Sequence, residues 1–120
     1  MVAFIIHDLI KLTRKNNVYR QVLQTTKKQQ IVLMCLKPLD DIKLEIHKDH
    51  DQFITIVYGE GCAIINNKKY HFSKNSSFII PAGSKHKIIN TSDKNKLKLY
   101  TIYSPPEHDK NRIDINNPDK

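Results

Sequence analysis

The sequence has 120 residues, a length that fits a single domain. Its 20 Lys and Arg residues against 12 Asp and Glu residues give a net charge of +8 at pH 7, and all but three of the cations are lysines. Lysines attract phosphates without the bidentate geometry that reads nucleic-acid bases, so the charge favours an anionic partner and says nothing about sequence-specific DNA binding. No apolar run reaches the roughly 18 residues that span a bilayer, which excludes a helical membrane protein.

Short apolar or alternating stretches, bounded by turn residues, follow one another along the chain and predict strands. Residues 3–12 predict either a strand or a short helix. Strands are expected at 18–25, 30–37, 42–47, 53–58, 62–65, 69–72, 76–80, 86–90 and 97–103. Asn66-Asn67 tolerates the left-handed backbone of a two-residue hairpin. This succession of short strands indicates an all-β fold, either an antiparallel sandwich or a barrel.

The stretch at 42–47 alternates in an unusual way, because its polar face carries a lysine, a glutamate and a histidine. The polar positions are Lys43, Glu45 and His47, and the apolar positions are Ile42, Leu44 and Ile46. In a barrel, the polar face would line an interior cavity. Gln52 opens the next strand and His86 begins a later one. One carboxylate, two imidazoles and one amide oxygen form a credible ligand set for a divalent transition metal.

Two motifs in this region resemble those of the cupin superfamily. The segment 75–90, NSSFIIPAGSKHKIIN, is similar to the second cupin motif, P-x-G-x-x-H-x-x-x-N, with Asn75 in place of a leading glycine. The spacing Glu45-x-His47-x4-Gln52-x6-Gly59 is similar to the first motif, in which His and Glu stand at the positions of Glu45 and Gln52. With GEG, NTSD and LYTIYSPPEH, these motifs resemble the small single-domain cupins labelled phosphomannose-isomerase-like, over roughly 17–108.

The resemblance implies a cupin jelly-roll barrel (a double-stranded β-helix) with a divalent metal, Fe, Mn, Zn or Ni, at its centre. Its ligands would be Glu45, His47, Gln52 and His86. His50 and Asp51, in the adjoining loop, are the alternative ligands, but the motif register favours positions just behind the ligand set for them. The further pocket candidates are Tyr58, Asn90, Tyr100 and His108. The tyrosines, Tyr103 among them, either line the pocket or pack in the core or on the surface. Asn90 either lines the pocket or ties a turn together by hydrogen bonds to the backbone. His108 ends a Pro-Pro-Glu-His segment that either folds over the barrel mouth or forms a rigid polar tail.

Two functions stay open at this point. The resemblance implies a metal-dependent enzyme for a small carbohydrate-like or acidic molecule, of the isomerase or dioxygenase type. The alternative is a barrel that binds a small ligand, or has a structural role, without catalysis. Relatives of the small family commonly carry Arg and Glu where this chain has Thr55 and Val57, which favours the alternative, whereas the ligand spacing favours the enzyme. They also carry glycines where Leu39 and Lys43 stand.

We expect one domain over 1–120, with its core at about 17–108, an N-terminal arm at 1–16 and a flexible, irregular tail at 109–120. The arm, beside an open sheet edge, predicts a homodimer. Cys35 and Cys62 lie in apolar stretches and are expected to be buried free thiols. Because the start of the sequence lacks the features of a secretory signal, we expect a reducing compartment, the cytoplasm. The expected partners are a second copy and a small molecule, with no membrane and no nucleic acid.

Overall fold

The computed structural model describes residues 2–120, which form one helix and ten strands. The helix, α1, is Leu9–Lys15. The strands are β1 (Arg20–Thr25), β2 (Gln30–Leu36), β3 (Asp41–Ile46), β4 (Asp51–Tyr58), β5 (Glu60–Ile65), β6 (Lys68–Ser73), β7 (Ser77–Ile80), β8 (Lys85–Asn90), β9 (Leu97–Ser104) and β10 (Ile113–Asp114). Each predicted strand is therefore present, and β10 is an additional one.

The strands form two antiparallel sheets that pack face to face. The larger sheet has the order β10-β1-β2-β9-β4-β7, and the smaller has the order β3-β8-β5-β6. Alternate residues of the two sheets meet in one apolar core, which includes Val32, Met34, Leu36, Ile54, Ile56, Ile88, Leu97 and Leu99. The prediction of an all-β jelly roll is confirmed.

Several tight connections use residues in the left-handed region of the backbone. Asn66 and Asn67 have φ values of 49° and 68° and form the predicted hairpin between β5 and β6. Asn75, which replaces the glycine of the second motif, has a φ of 76°. Gly59 combines a φ of 95° with a close approach, since an added Cβ would lie 2.5 Å from the Lys96 carbonyl oxygen. These short connections hold neighbouring strands in register.

The N-terminal arm contains a helix and not a strand, so one of the two alternatives for residues 3–12 is settled, with the helix shifted to 9–15. Asp8 caps it, because its carboxylate accepts a hydrogen bond from the Lys11 backbone N–H at 3.0 Å. Residues 2–8 have no regular secondary structure, and the side chains of Val2, Phe4 and Ile5 are exposed.

The C-terminal segment differs from the flexible tail that we expected. It is largely irregular, but β10 pairs with β1, and Asp114 forms a 2.6 Å ion pair with the buried Arg20. Farther along, the Asn117 side-chain amide donates to the Asp41 carbonyl oxygen at 2.9 Å. These contacts are polar and join residues far apart in sequence, and for this reason hydrophobic periodicity gave no sign of them.

Within residues 2–120, no helix is long and apolar enough to cross a membrane. Cys35 and Cys62 are both buried and unbonded to each other, as the sequence predicted. Burial raises the pKa of the Cys35 thiol, so the protonated, unreactive form is favoured.

Candidate metal centre

The pairing of β3 with β8 places Glu45 directly opposite His86. His47 follows β3 and points to the same place, with its ring centroid 5.1 Å from that of His86. Glu45, His47 and His86 each offer one ligand atom, and these atoms all lie within 4.8 Å of one another. Three of the four predicted ligands are therefore brought together inside the barrel.

A bulge in β3 determines which residues face this centre. The register with β8 shifts between Ile42 and Glu45, so that Ile42 and Glu45 both project inward although they are three positions apart. Leu44 and Ile46 are then 53% and 51% exposed. The expectation that Ile42, Leu44 and Ile46 share one face is thus wrong. Because of the bulge, Ile42 points inward together with Glu45 and His47, whereas Leu44 and Ile46 point outward.

Gln52, the fourth predicted ligand, enters from β4 in the other sheet. Its side chain is buried, and its amide nitrogen donates to the Tyr103 hydroxyl at 3.3 Å. Its amide oxygen is buried without a hydrogen-bond partner among residues 2–120. A buried oxygen in this condition normally costs free energy, so it is available to accept a hydrogen bond from a ligand or to coordinate an ion.

The surroundings shift the pKa values of all three cluster residues: they favour a neutral His86 and an ionised Glu45, which suit a cation, and a protonated His47, whose proton a cation would displace. Burial lowers the pKa of His86, which keeps its imidazole neutral. Its Nδ1 lies 3.0 Å from the Ser84 carbonyl oxygen, an acceptor only, so Nδ1 carries the proton and Nε2 keeps a free lone pair. Contact with Glu45 raises the pKa of His47. Burial alone would raise the pKa of Glu45, but contact with His47 and the charges of Arg20 and His86 together outweigh it, and the net direction is down.

The positions of Glu45 and His47 fit two ligands of one ion. Glu45 Oε2 lies 3.0 Å from His47 Nε2. Despite this distance, His47 Nε2 has no well-aligned hydrogen bond in the described part of the chain. Two ligands of a common ion are arranged in this way, because each points at the space between them. Imidazole nitrogens and a carboxylate are also the donors that divalent transition metals prefer.

A segment that we name the closing strap, residues 105–108, crosses the barrel mouth after β9. Glu107 in the strap reaches back to the histidines of the β3–β4 loop: its carboxylate lies 3.3 Å from His47 Nδ1 and contacts His50 Nε2. The His108 ring packs edge-on against Tyr103, with centroids 5.2 Å apart. The Pro-Pro-Glu-His segment therefore folds over the mouth, one of the two outcomes left open by the sequence.

The strap is anchored by Gln30, which is fully buried at the start of β2. The Gln30 side-chain oxygen accepts hydrogen bonds from the backbone N–H groups of Glu107, at 3.2 Å, and His108, at 2.9 Å. Its amide nitrogen donates to the His108 carbonyl oxygen at 2.7 Å. Sequence reasoning missed both Gln30 and Glu107, and the only available signal was a polar residue opening an otherwise apolar strand.

Asp51 and Asn90 have structural partners away from the cluster. The Asp51 carboxylate accepts from the Ala82 backbone N–H at 2.9 Å, which ties β4 to the turn before β8. The Asn90 amide donates to three carbonyl oxygens, those of Leu36, Lys37 and Asn95. Asn90 therefore ties loops together, the alternative that the sequence favoured for it.

Tyr58 and Tyr100 also lie away from the cluster. Tyr58 is exposed at the end of β4, where it lines a surface depression with Arg14 and Lys98. Tyr100 occupies the face of β9 opposite to the inward positions, whereas Tyr103 points inward and is buried. Of the tyrosines considered from the sequence, only Tyr103 contacts a predicted ligand.

Comparisons with known proteins agree with this architecture. Residues 32–103 match the family model described as a cupin domain. The chain is 47% identical over 109 residues to the uncharacterised protein L612 of Acanthamoeba polyphaga mimivirus, covering 88% of this chain and 68% of L612. It is 42% identical over 107 residues to the uncharacterised protein YrkC of Bacillus subtilis, covering 84% of this chain and 57% of YrkC.

Solved structures show the same fold. The crystal structure of BH2720 from Bacillus halodurans matches with a TM-score of 0.90 and 30% identity, over 94% of this chain and 89% of BH2720. An RmlC-like cupin from Shewanella frigidimarina matches with a TM-score of 0.67 and 19% identity, over 74% of this chain and 77% of its own; at this identity the match concerns the fold alone. Taken with the two motifs and the facing sheets, these matches show that the chain belongs to the cupin family.

Proposed function

We propose that the protein is a metal-dependent cupin enzyme that acts on a small molecule, carbohydrate-like or acidic, by isomerase-type or dioxygenase-type chemistry. Glu45, His47 and His86 would hold the cation, with Gln52 as a fourth donor. The observation that carries the proposal is the convergence of two imidazoles and one carboxylate within 4.8 Å of one another in the barrel. Such a donor set with open positions is typical of non-haem Fe(II), and Zn²⁺, Mn²⁺ or Ni²⁺ can also occupy it.

The residues around the cluster have separable roles in this proposal. A bound cation would supply a Lewis acid or a dioxygen-binding site. The Ser84 carbonyl would fix the tautomer of His86, so that Nε2 faces the cation. The Tyr103 hydroxyl, whose pKa is raised by burial, would stay protonated and hold the Gln52 amide in place. The closing strap would limit the access of water from the mouth.

A cavity at the β6–β7 edge offers space for the small molecule. Its volume is about 510 Å³, within the range of ligand pockets. Its lining is mainly apolar and includes Ala63, Ile65, Tyr70, Phe72, Phe78 and Ser84. Ser84 contacts His86 Nδ1 through its carbonyl oxygen, whereas Glu45, His47 and Gln52 do not line the cavity.

The departures at Thr55 and Val57 weigh less against catalysis than the sequence suggested. Side chains alternate along β4, and Gln52, Ile54 and Ile56 belong to its inward face. Thr55 and Val57 therefore lie on the other face, where the Thr55 hydroxyl bonds to Ser77 at 2.9 Å. An Arg or Glu at these two positions would not project toward the proposed cation.

A binding module without catalysis is the second candidate, and the closing strap is the observation that favours it. Glu107 contacts both His47 and His50, so the strap covers one approach to the cluster. A barrel that retains a cation and a ligand under a closed strap would store or sense that ligand without turning it over.

The test is elemental analysis of protein purified without a polyhistidine tag. We expect at least one equivalent of a divalent transition metal in the wild type, one equivalent fewer in His86→Ala, and at least one fewer in His47→Ala. His71→Ala, which removes an exposed imidazole on β6, is the matched control and should retain the metal. Dioxygen uptake by the Fe(II)-loaded protein, or turnover of sugar phosphates, would then identify an enzyme. Retained metal with no turnover across such a panel would favour the binding module, and a metal-free wild type would refute both.

We also propose that the protein acts as a homodimer in the cytoplasm. The exposed apolar side chains of the N-terminal arm support dimerisation, because a second copy would remove them from water. Two buried free thiols are compatible with a reducing compartment.

A further inference from the structure

The closing strap creates a second group of potential metal ligands outside the inner cluster. His47 Nδ1 lies 3.3 Å from the Glu107 carboxylate, and His50 Nε2 contacts the same oxygen. His47, His50 and Glu107 each offer one ligand atom within 4.8 Å of the others. His47 belongs to both groups, with Nε2 toward Glu45 and Nδ1 toward Glu107.

The backbone holds this outer group in place, which separates it from an ordinary surface ion pair. Gln30 fixes the main chain of Glu107 and His108 by three hydrogen bonds from a fully buried side chain. The side chains of His47 and His50 are only 10% and 15% exposed. A surface ion pair stabilises a protein little, because ordering two mobile side chains costs conformational entropy. Here the fold already orders the groups that would form the site.

We propose that His47 Nδ1, His50 Nε2 and the Glu107 carboxylate form an outer cation site for Zn²⁺ or Cu²⁺ at the barrel mouth. Two imidazoles and a carboxylate leave a position open for water, as in zinc sites with three protein ligands. The site does not depend on the proposed enzymatic function. When the inner position is also filled, His47 bridges the two cations through its two nitrogens, and its remaining N–H proton is released to solvent.

The charges at the mouth permit both positions to be filled. Two divalent cations bring four positive charges, and Glu45, Glu107 and a deprotonated His47 supply three negative charges. Arg20 adds a positive charge nearby, but Asp114 pairs with it at 2.6 Å. Arg112 shares Asp114 with Arg20 and contacts His108, so the mouth with both positions filled carries a net charge of about +2, half of what the cations bring.

The experiment is a metal titration of the demetallated, untagged full chain with Zn²⁺, followed by gel filtration and elemental analysis. We expect two equivalents for the wild type and for the His71→Ala control, and one for His50→Ala and for His86→Ala. Glu107→Gln keeps the shape of the side chain and should weaken the second equivalent at least tenfold. Far-UV circular dichroism of each variant checks that it remains folded.

A second readout reports on the shared histidine. In protein loaded with two Cu²⁺ ions, a bridging His47 couples the two electron spins, and we expect His50→Ala to abolish that coupling in the electron paramagnetic resonance spectrum. One equivalent in the wild type that disappears in His86→Ala but persists in His50→Ala would overturn the outer site and leave the inner one. One equivalent that disappears in His50→Ala but persists in His86→Ala would uphold the outer site and overturn the proposed function. No binding at all would overturn both.

Discussion

Leu39 adopts a left-handed backbone, with a φ of 63°, in the turn between β2 and β3. This backbone conformation costs a residue with a Cβ about 1–2 kcal/mol of strain. The Leu39 side chain is 63% exposed, so its packing offsets little of that strain. Glycine removes the strain but adds freedom to the unfolded chain. We predict that Leu39→Gly raises the free energy of unfolding by about 0.5–1 kcal/mol, measured by urea denaturation.

Ile79 provides a matched control for this prediction. Its side chain is also 63% exposed, but it lies in β7 and its φ is not positive. Ile79→Gly should lower the free energy of unfolding, because glycine weakens a strand. Destabilisation of similar size in both variants would contradict the assignment of strain to Leu39.

His108 makes the stability depend on pH. Burial, with the nearby charges of Arg20 and Arg112, lowers its pKa to about 4. In the unfolded chain the pKa is about 6.5. Between pH 6.5 and 4, His108 is therefore protonated in the unfolded state and neutral in the folded state. The free energy of unfolding should therefore fall as the pH falls through this window, by roughly 2 kcal/mol after allowance for solvent screening.

The measurement is urea denaturation of metal-free protein at pH 7.5 and 4.5, for the wild type and His108→Gln. Other groups titrate in both proteins, so the difference between their pH dependences isolates His108. We expect the smaller loss of stability in His108→Gln; equal losses would show that His108 does not titrate as its burial implies.

At the scale of elements, the strands could be predicted because each is bounded by turn residues or glycine. The inward face of β3 could not, because a bulge changes which residues point inward without leaving a trace in the local pattern. Glu45 and His47 were found from their motif spacing, and their convergence with His86 depends on the β3–β8 register. The role of Gln30 was also hidden, because its partner His108 lies 78 positions away.

Gln30→Leu tests the anchoring of the closing strap. The substitution keeps a similar side-chain volume but removes the bonds to Glu107 and His108, so we predict a loss of about 2 kcal/mol in the free energy of unfolding. We also expect faster amide hydrogen exchange at 107–108. Gln29→Leu, at the exposed neighbouring position, should change neither quantity.

At the scale of the whole molecule, the apolar N-terminal arm predicts self-association. Val2 and Ile5 are 81% and 77% exposed, and a soluble monomer gains nothing from such exposure. We predict that the wild type is a dimer by light scattering and that the double variant Phe4→Ser with Ile5→Ser is a monomer. Leu39→Ser with Ile79→Ser, which removes two exposed apolar side chains elsewhere, should remain dimeric. A monomeric wild type would contradict the prediction.

The pairing of Glu45 with His86 joins positions 41 residues apart in the chain, on strands that belong to one sheet but are separated by four others in sequence. Cation capture at the inner position during refolding must await the docking of β8 on β3, since neither strand alone supplies all three donors. A spectroscopic signal from Co²⁺ at the inner position should therefore appear later than early hairpin formation at β5–β6. The time course of that signal would report when the barrel closes.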